Sequence, residues 1–175
     1  MGESNIVIGF STTSGFVSRA IRWLTRSKCS HAWILFNDRA LGMHVVMQAT
    51  WRGFELLPWK RWRRGNCIVA AYKPKINRIG TELALRLLAH ELGRGYDYRS
   101  AFLVGLRGWW ARWRKAKMTL RPSMTPHKLM CSEAVARMLK WAGFRLPTEL
   151  NPELVSPGEL MQWCEASSSS FRRIA

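Results

Sequence analysis

The stretch Met130-Cys131-Ser132-Glu133-Ala134-Val135-Ala136-Arg137-Met138-Leu139 organises the chain. Met130, Ala134, Val135, Met138, Leu139 and Ala142 recur at the spacing of one helical face, which predicts a helix laid on a core. Gly143 stops it and Pro147 keeps it stopped. Cys131 falls in the first turn, where unpaired backbone N–H groups and the positive end of the helix dipole favour thiolate over thiol. Thiolate is the nucleophilic form. Position alone favours a buried structural cysteine, since free cysteine is among the most buried residue types. The choice between the two readings rests on the rest of the chain.

The chain has 175 residues, enough for one domain with a full core. Its 47% hydrophobic content, with turns marked by Gly and Pro, speaks for a globular fold. No apolar run approaches the ~18 residues that a bilayer-spanning helix needs. The start, MGESNIVIGF, lacks a basic n-region and a cleavable apolar segment, and Ile6 stands where a myristoylation motif needs Ser or Thr. Cytoplasmic synthesis is therefore expected, with any site of action outside the cell reached by another route. Cys29, Cys67, Cys131 and Cys164 form no CxxC pair, so neither a zinc knuckle nor a disulfide scaffold is expected, and no metal or cofactor.

Charge is the compositional oddity. Lys and Arg number 28 against 11 Asp and Glu, a net +17, and ten tryptophans accompany them. Such a surface attracts polyanions: nucleic acid, anionic lipid headgroups or an anionic wall polymer. No helix-turn-helix, RNP-type or zinc signature is present, so nucleic acid is the least favoured of these.

Strands are expected near 5–10, 30–36, 43–50, 53–57, 67–72 and 171–174, and helices near 16–24, 78–93, 100–106, 131–142 and from 157. Asn37-Asp38 is expected to turn the second strand. Phe16, Val17, Ala20, Ile21 and Leu24 make one face of the first helix and Arg19, Arg22 and Arg26 the other. Ile79, Leu83, Leu87, Leu88 and Leu92 recur helically in the second. Short strands early and helices late predict an α+β fold: an antiparallel sheet or open barrel with helices packed on one side.

A cysteine nucleophile needs an imidazole to take and return a proton. His31 opens a strand after Ser30; His44 lies in the next strand; His90 sits in a helix; His127 lies four residues before Cys131 in a Pro-rich turn. The imidazole in turn needs an orienting partner. Gln48, polar within an otherwise apolar strand, is one candidate, and His44, four residues away on the same face, is its rival.

Ser30-His31-Ala32-Trp33-Ile34, Met47-Gln48-Ala49-Thr50 with Gly53, Gly95-Tyr96-Asp97-Tyr98, Met130-Cys131-Ser132-Glu133 and Ser156-Pro157-Gly158-Glu159-Leu160 occur in that order. The series resembles the circularly permuted branch of the NlpC-type papain-like cysteine hydrolases, which includes YiiX-like proteins and relatives of lecithin retinol acyltransferase. The resemblance runs from about Ile6 to Leu160. It implies a permuted papain-like fold, with Cys131 as nucleophile, His31 as general base and acid, and Gln48 as the orienting residue. Many relatives carry Glu at the third position, so Gln48 is a departure. Tyr96 is implied as an oxyanion donor beside the Cys131 backbone N–H. The implied activity is hydrolysis of amide or other acyl bonds, first of all in cell-wall peptides. A lipid- or thioester-directed acyltransferase or esterase is the second reading, and a non-enzymatic polyanion binder the third.

The run from Arg107 to Lys117, within a basic excursion at about 107–121, has no counterpart in that resemblance. Arg107, Trp109, Trp110, Arg112, Trp113 and Arg114 mix cations with tryptophan, the composition of a contact with an anionic membrane or polymer. Trp59-Lys60-Arg61-Trp62-Arg63-Arg64 is a similar patch.

Overall fold

The structure, a computed structural model, describes residues 6–97, 128–148 and 150–175. The chain order is β1 (Val7–Thr12), α1 (Phe16–Thr25), β2 (His31–Asp38), β3 (Met43–Thr50) and β4 (Gly53–Pro58), then a one-turn helix α2 (Trp59–Trp62) and a 3₁₀ turn (Arg63–Gly65). After these come β5 (Cys67–Pro74), α3 (Arg78–Ala89), β6 (Gly95–Tyr96), β7 (Lys128–Leu129), α4 (Cys131–Trp141), α5 (Pro157–Ala166) and β8 (Phe171–Arg173). Among the described residues six strands form one antiparallel sheet in the order β4-β3-β2-β1-β5-β8, and β6 and β7 make a separate parallel pair.

The fold is α+β, with helices α3, α4 and α5 on one side of the sheet. Strand alternation explains the layering. Ala32 and Ile34 of β2, Met47 and Ala49 of β3 and Phe54 of β4 face one way and join the main core with Ala84 and Leu88 of α3, Ala134, Val135, Met138 and Leu139 of α4, and Leu160 and Cys164 of α5. The intervening residues Trp33 and Val46 face the other way and meet Trp62 in a smaller cluster. Gly9 is required here: a Cβ on it would lie inside the Trp33 ring, which crosses β1 at that point.

Local chemistry sets the element ends. Ser156 caps α5 by accepting from the Glu159 N–H at 3.2 Å, while Glu159 accepts from the Ser156 N–H at 2.8 Å, with Pro157 at the first helical position. Asn77 caps α3 by accepting from the Gly80 N–H at 2.7 Å. β2 runs through Asn37 and Asp38 rather than turning there. The turn lies at residues 39–42, where Gly42 has φ +62° and Asp38 accepts from the Leu41 N–H at 3.0 Å.

Two helices leave part of their expected apolar face outside. α3 buries Thr81, Ala84 and Leu88, and leaves Ile79, Leu83 and Leu87 outward. Its inner face is small enough to approach α4 closely: a Cβ on Gly80 would stand 3.2 Å from the carbonyl of Ala142. α1 buries only Ser18.

Candidate active site

β2 begins at His31, and the backbone around it is tied down on both sides. Ser11 of β1 pairs with His31, and the Ser30 N–H donates to the Ser11 carbonyl at 3.0 Å. Ser30 Oγ lies 2.6 Å from Ser18 Oγ of α1. β1 shifts register against β5 between Phe10 and Ser11, next to the residue that pairs with His31. Such irregularities re-aim the side chains beside them.

His31 Nε2 lies 2.9 Å from Gln48 Oε1, and the indole N–H of Trp62 donates to that same oxygen at 2.8 Å. An indole nitrogen can only donate, so the Gln48 atom facing it must be oxygen. Gln48 Nε2 donates in turn to Glu55 Oε1 at 3.1 Å, which requires the same amide orientation. The tautomer of His31 follows: Nε2 carries the hydrogen that Gln48 accepts, leaving Nδ1 for the thiol of Cys131, the ring's other hydrogen-bond partner. Glu55 is steadied by Thr50, whose hydroxyl donates to Oε1 at 2.9 Å. The result is a connected line Cys131–His31–Gln48–Glu55. Gln48, only 6% exposed, is buried with its polar atoms engaged, the condition under which a buried amide is tolerated.

Register and packing explain how these residues meet. Gln48 and Glu55 are paired across β3 and β4 and therefore share a face. Continuing the β2–β3 register beyond Ile34–Met47 brings His31 opposite Thr50, with Gln48 its diagonal neighbour. Trp62 reaches Gln48 from α2 and is held by aromatic contacts, its ring 4.7 Å from Trp33 and 5.2 Å from Trp59 between centroids. The run from Trp59 to Arg64 is thus no exposed cation–tryptophan patch: Trp62 is buried and Trp59 packs on it.

Cys131 is the first residue of α4, and the N-cap residue Met130 offers no side-chain oxygen to the first-turn amides. Ser132 and Glu133 hold it in place. The Ser132 hydroxyl donates to the Val155 carbonyl at 2.6 Å, and Glu133 accepts from the Met130 N–H at 3.2 Å while pairing with Arg137 at 2.6 Å. Burial by itself pushes the Cys131 thiol up. The charge on His31, the hydrogen bond with it, and the backbone N–H groups of Ala32 and Ser132 outweigh that, so the thiol titrates below its ordinary range. His31 moves the other way. Burial lowers it, but the Cys131 charge, hydrogen bonds with Cys131 and Gln48, and the charge of Glu55 together raise it. These opposite shifts favour a thiolate–imidazolium pair. The other buried thiols lack such a partner: burial pushes Cys29 up to about 11 and Cys164 up to about 12.

Of the residues singled out from sequence, Cys131, His31 and Gln48 come together. His44, the rival for the third place, is exposed and pairs with Asn37 far along β3. Tyr96 lies on β6 beside Leu129 of β7, two residues before Cys131, and its ring packs on the main core. His127 and the run from Arg107 to Lys117, with Trp109, Trp110, Arg112, Trp113 and Arg114, lie outside the described residues. Glu55, Trp62 and the Ala32 N–H were not legible as site groups. The one signal for any of them was strand pairing, which sets Glu55 opposite Gln48.

A solved structure shares this fold. It is described as the metalloprotein YiiX from Escherichia coli O157:H7, DUF1105, and superposes with a TM-score of 0.52 at 17% sequence identity, covering 99% of this chain and 96% of that one. No family model and no curated protein matches the sequence. Among the described residues no group of three or more His, Cys, Asp or Glu side chains is placed to hold a metal ion. No described helix is long and apolar enough to cross a membrane.

Proposed function

We propose that the protein is a cysteine hydrolase of amide or other acyl bonds, built on a circularly permuted papain-like fold of the NlpC type. The observation that carries this reading is the line Cys131–His31–Gln48–Glu55, in which a buried thiol is pulled down by a histidine of defined tautomer. The permuted order is supported by the chain itself, since the histidine strand precedes the cysteine helix.

In the proposed reaction the Cys131 thiolate attacks a carbonyl carbon, forming the S–C bond. The developing oxyanion is met by the Cys131 backbone N–H, which as a first-turn amide has no partner within the helix, with Tyr96 as the second donor. His31 Nδ1–H then protonates the leaving amine or alkoxide as its bond to carbon breaks. Water adds to the thioester, giving a proton to Nδ1, and the acid departs as thiolate and imidazolium are restored. Gln48 accepts the Nε2–H throughout, and Glu55 supplies through Gln48 the negative charge that the amide lacks.

Cell-wall peptide is the proposed substrate, in keeping with the net charge of +17 and an anionic envelope. A lipid or thioester acyl substrate is the second reading, favoured by the outward apolar face of α1 next to the site. The test is turnover of muropeptides and of a soluble thioester, with mass spectrometry of the enzyme after hydroxylamine trapping. Wild type should yield a hydroxamate and a new amine or thiol, and Cys131→Ala should lose at least about 1,000-fold. Equal turnover by Cys131→Ala would end the proposal.

A further inference from the structure

α1 is amphipathic in the reverse sense for a helix of a folded domain. Around its axis Phe16, Val17, Ala20, Ile21, Trp23 and Leu24 form one face, and Ser18, Arg19, Arg22 and Thr25 the opposite one. The buried residue is Ser18, on the polar face. Ser18 Oγ lies 2.9 Å from Thr12 Oγ1 and 2.6 Å from Ser30 Oγ, and accepts from the Thr13 N–H at 3.1 Å. These bonds dock the helix by its polar side. The N-terminal part of the apolar side is open, with Phe16 78% exposed and Val17 70%, while Ala20, Ile21 and Leu24 are half-buried. Among the described residues no α1 side chain belongs to either hydrophobic cluster. Arg19 on the rim of this face, Arg26 at the helix C-cap and Lys28 just after it are exposed.

We propose that α1 is a membrane-docking element that inserts Phe16 and Val17 into the headgroup–acyl boundary of an anionic bilayer. Charge decides among occupants. A second copy of this chain would bring its own +17 against the same arginines, whereas anionic headgroups neutralise them. An aromatic and aliphatic face rimmed by Lys and Arg is also the composition of interfacial helices. Through the Ser18–Ser30 bond the docked helix would hold His31, the residue after Ser30, close to the bilayer surface. The inference does not depend on Cys131 being a nucleophile.

Co-sedimentation of the full chain tests it, with vesicles of phosphatidylcholine alone and with about one third phosphatidylglycerol. Wild type should bind the anionic vesicles and favour them over the neutral ones. Phe16→Ser/Val17→Ser should weaken binding at least about tenfold while its circular dichroism and melting stay those of wild type, since both side chains are exposed. Arg19→Gln/Arg26→Gln should weaken it more at low salt than at high salt. Trp109→Ser/Trp110→Ser/Trp113→Ser should retain the α1-dependent part. Failure of wild type to bind overturns the proposal, as does unchanged binding by the double α1 variant. Dimerisation in solution that the double variant abolishes would assign the face to a second copy instead, and would equally overturn it.

Discussion

Replacing His31 with Phe should switch off the reactivity of Cys131 while leaving the thiol in place. Phe keeps the ring volume and keeps water out, so the burial that pushes the thiol up persists. The imidazole's charge and hydrogen bond are lost, and only the N–H groups of Ala32 and Ser132 still oppose that burial. Burial is the largest single influence on this thiol, so in the variant it should titrate well above its wild-type position. A thiol at the ordinary value of 9.0 is about 1% thiolate at pH 7, so a variant that returns to it loses up to about 100-fold in alkylation rate, and one held higher by burial loses more. The assay is iodoacetamide labelling between pH 5 and pH 10, read peptide by peptide. Cys131 is only 4% exposed, so access scales its rate in both proteins and cancels when pH profiles are compared. Cys29, near 11, and Cys164, near 12, serve as internal clocks for buried thiols without a partner. Cys131 should label at a lower pH than an ordinary thiol in the wild type, and its profile should move up in the His31→Phe variant. If wild-type Cys131 follows the profile of an ordinary thiol, or if His31→Phe leaves its profile in place, the thiolate–imidazolium argument is wrong.

Gln48→Ala should lower kcat/KM roughly 10- to 100-fold, the worth of one orienting hydrogen bond of about 1.5–3 kcal/mol to a charged ring, while His44→Gln leaves steady-state kinetics unchanged. Glu55→Gln removes a negative charge that helps keep His31 protonated, so the alkaline limb of the pH–kcat/KM profile should move to lower pH. An unmoved limb would show that the carboxylate is not felt at the ring. Gln48→Glu alone sets a second carboxylate against Glu55, so it should raise the alkaline limb fully only together with Glu55→Gln, a comparison that a double-mutant cycle reads directly. Gly9→Ala should destabilise the fold by about 1–3 kcal/mol in urea melts, because its Cβ meets the buried Trp33 ring. Wild-type stability would mean that Trp33 can leave its position across β1.

The sequence by itself determined the elements whose signals are local. A 3.6-residue apolar period marked α4 and set Cys131 in its first turn, and Ser156-Pro157 with Glu159 marked the start of α5 by capping chemistry alone. Alternation marked β2 and β3, and the ordered short motifs pointed to Cys131, His31 and Gln48. Periodicity gives a helix's faces but not which one the body covers. The apolar residues of α1 and α3 were therefore legible, while which of them face outward was decided by Ser18 bonding to Ser30 and by the packing of Ala84 and Leu88 on the core. The choice of Gln48 over His44 was likewise tertiary. Both share a strand face, and only the register of β2 on β3 and the reach of Trp62 bring one of them to His31. Glu55 and Trp62 carry no motif, because a hydrogen bond across strands or from a one-turn helix leaves no spacing in the chain. The tautomer of His31 is set by those two residues, through an indole that can only donate and a carboxylate that accepts. Its chemistry was thus fixed by neighbours 24 and 31 positions away, brought close only by the sheet and the packing of α2 against it.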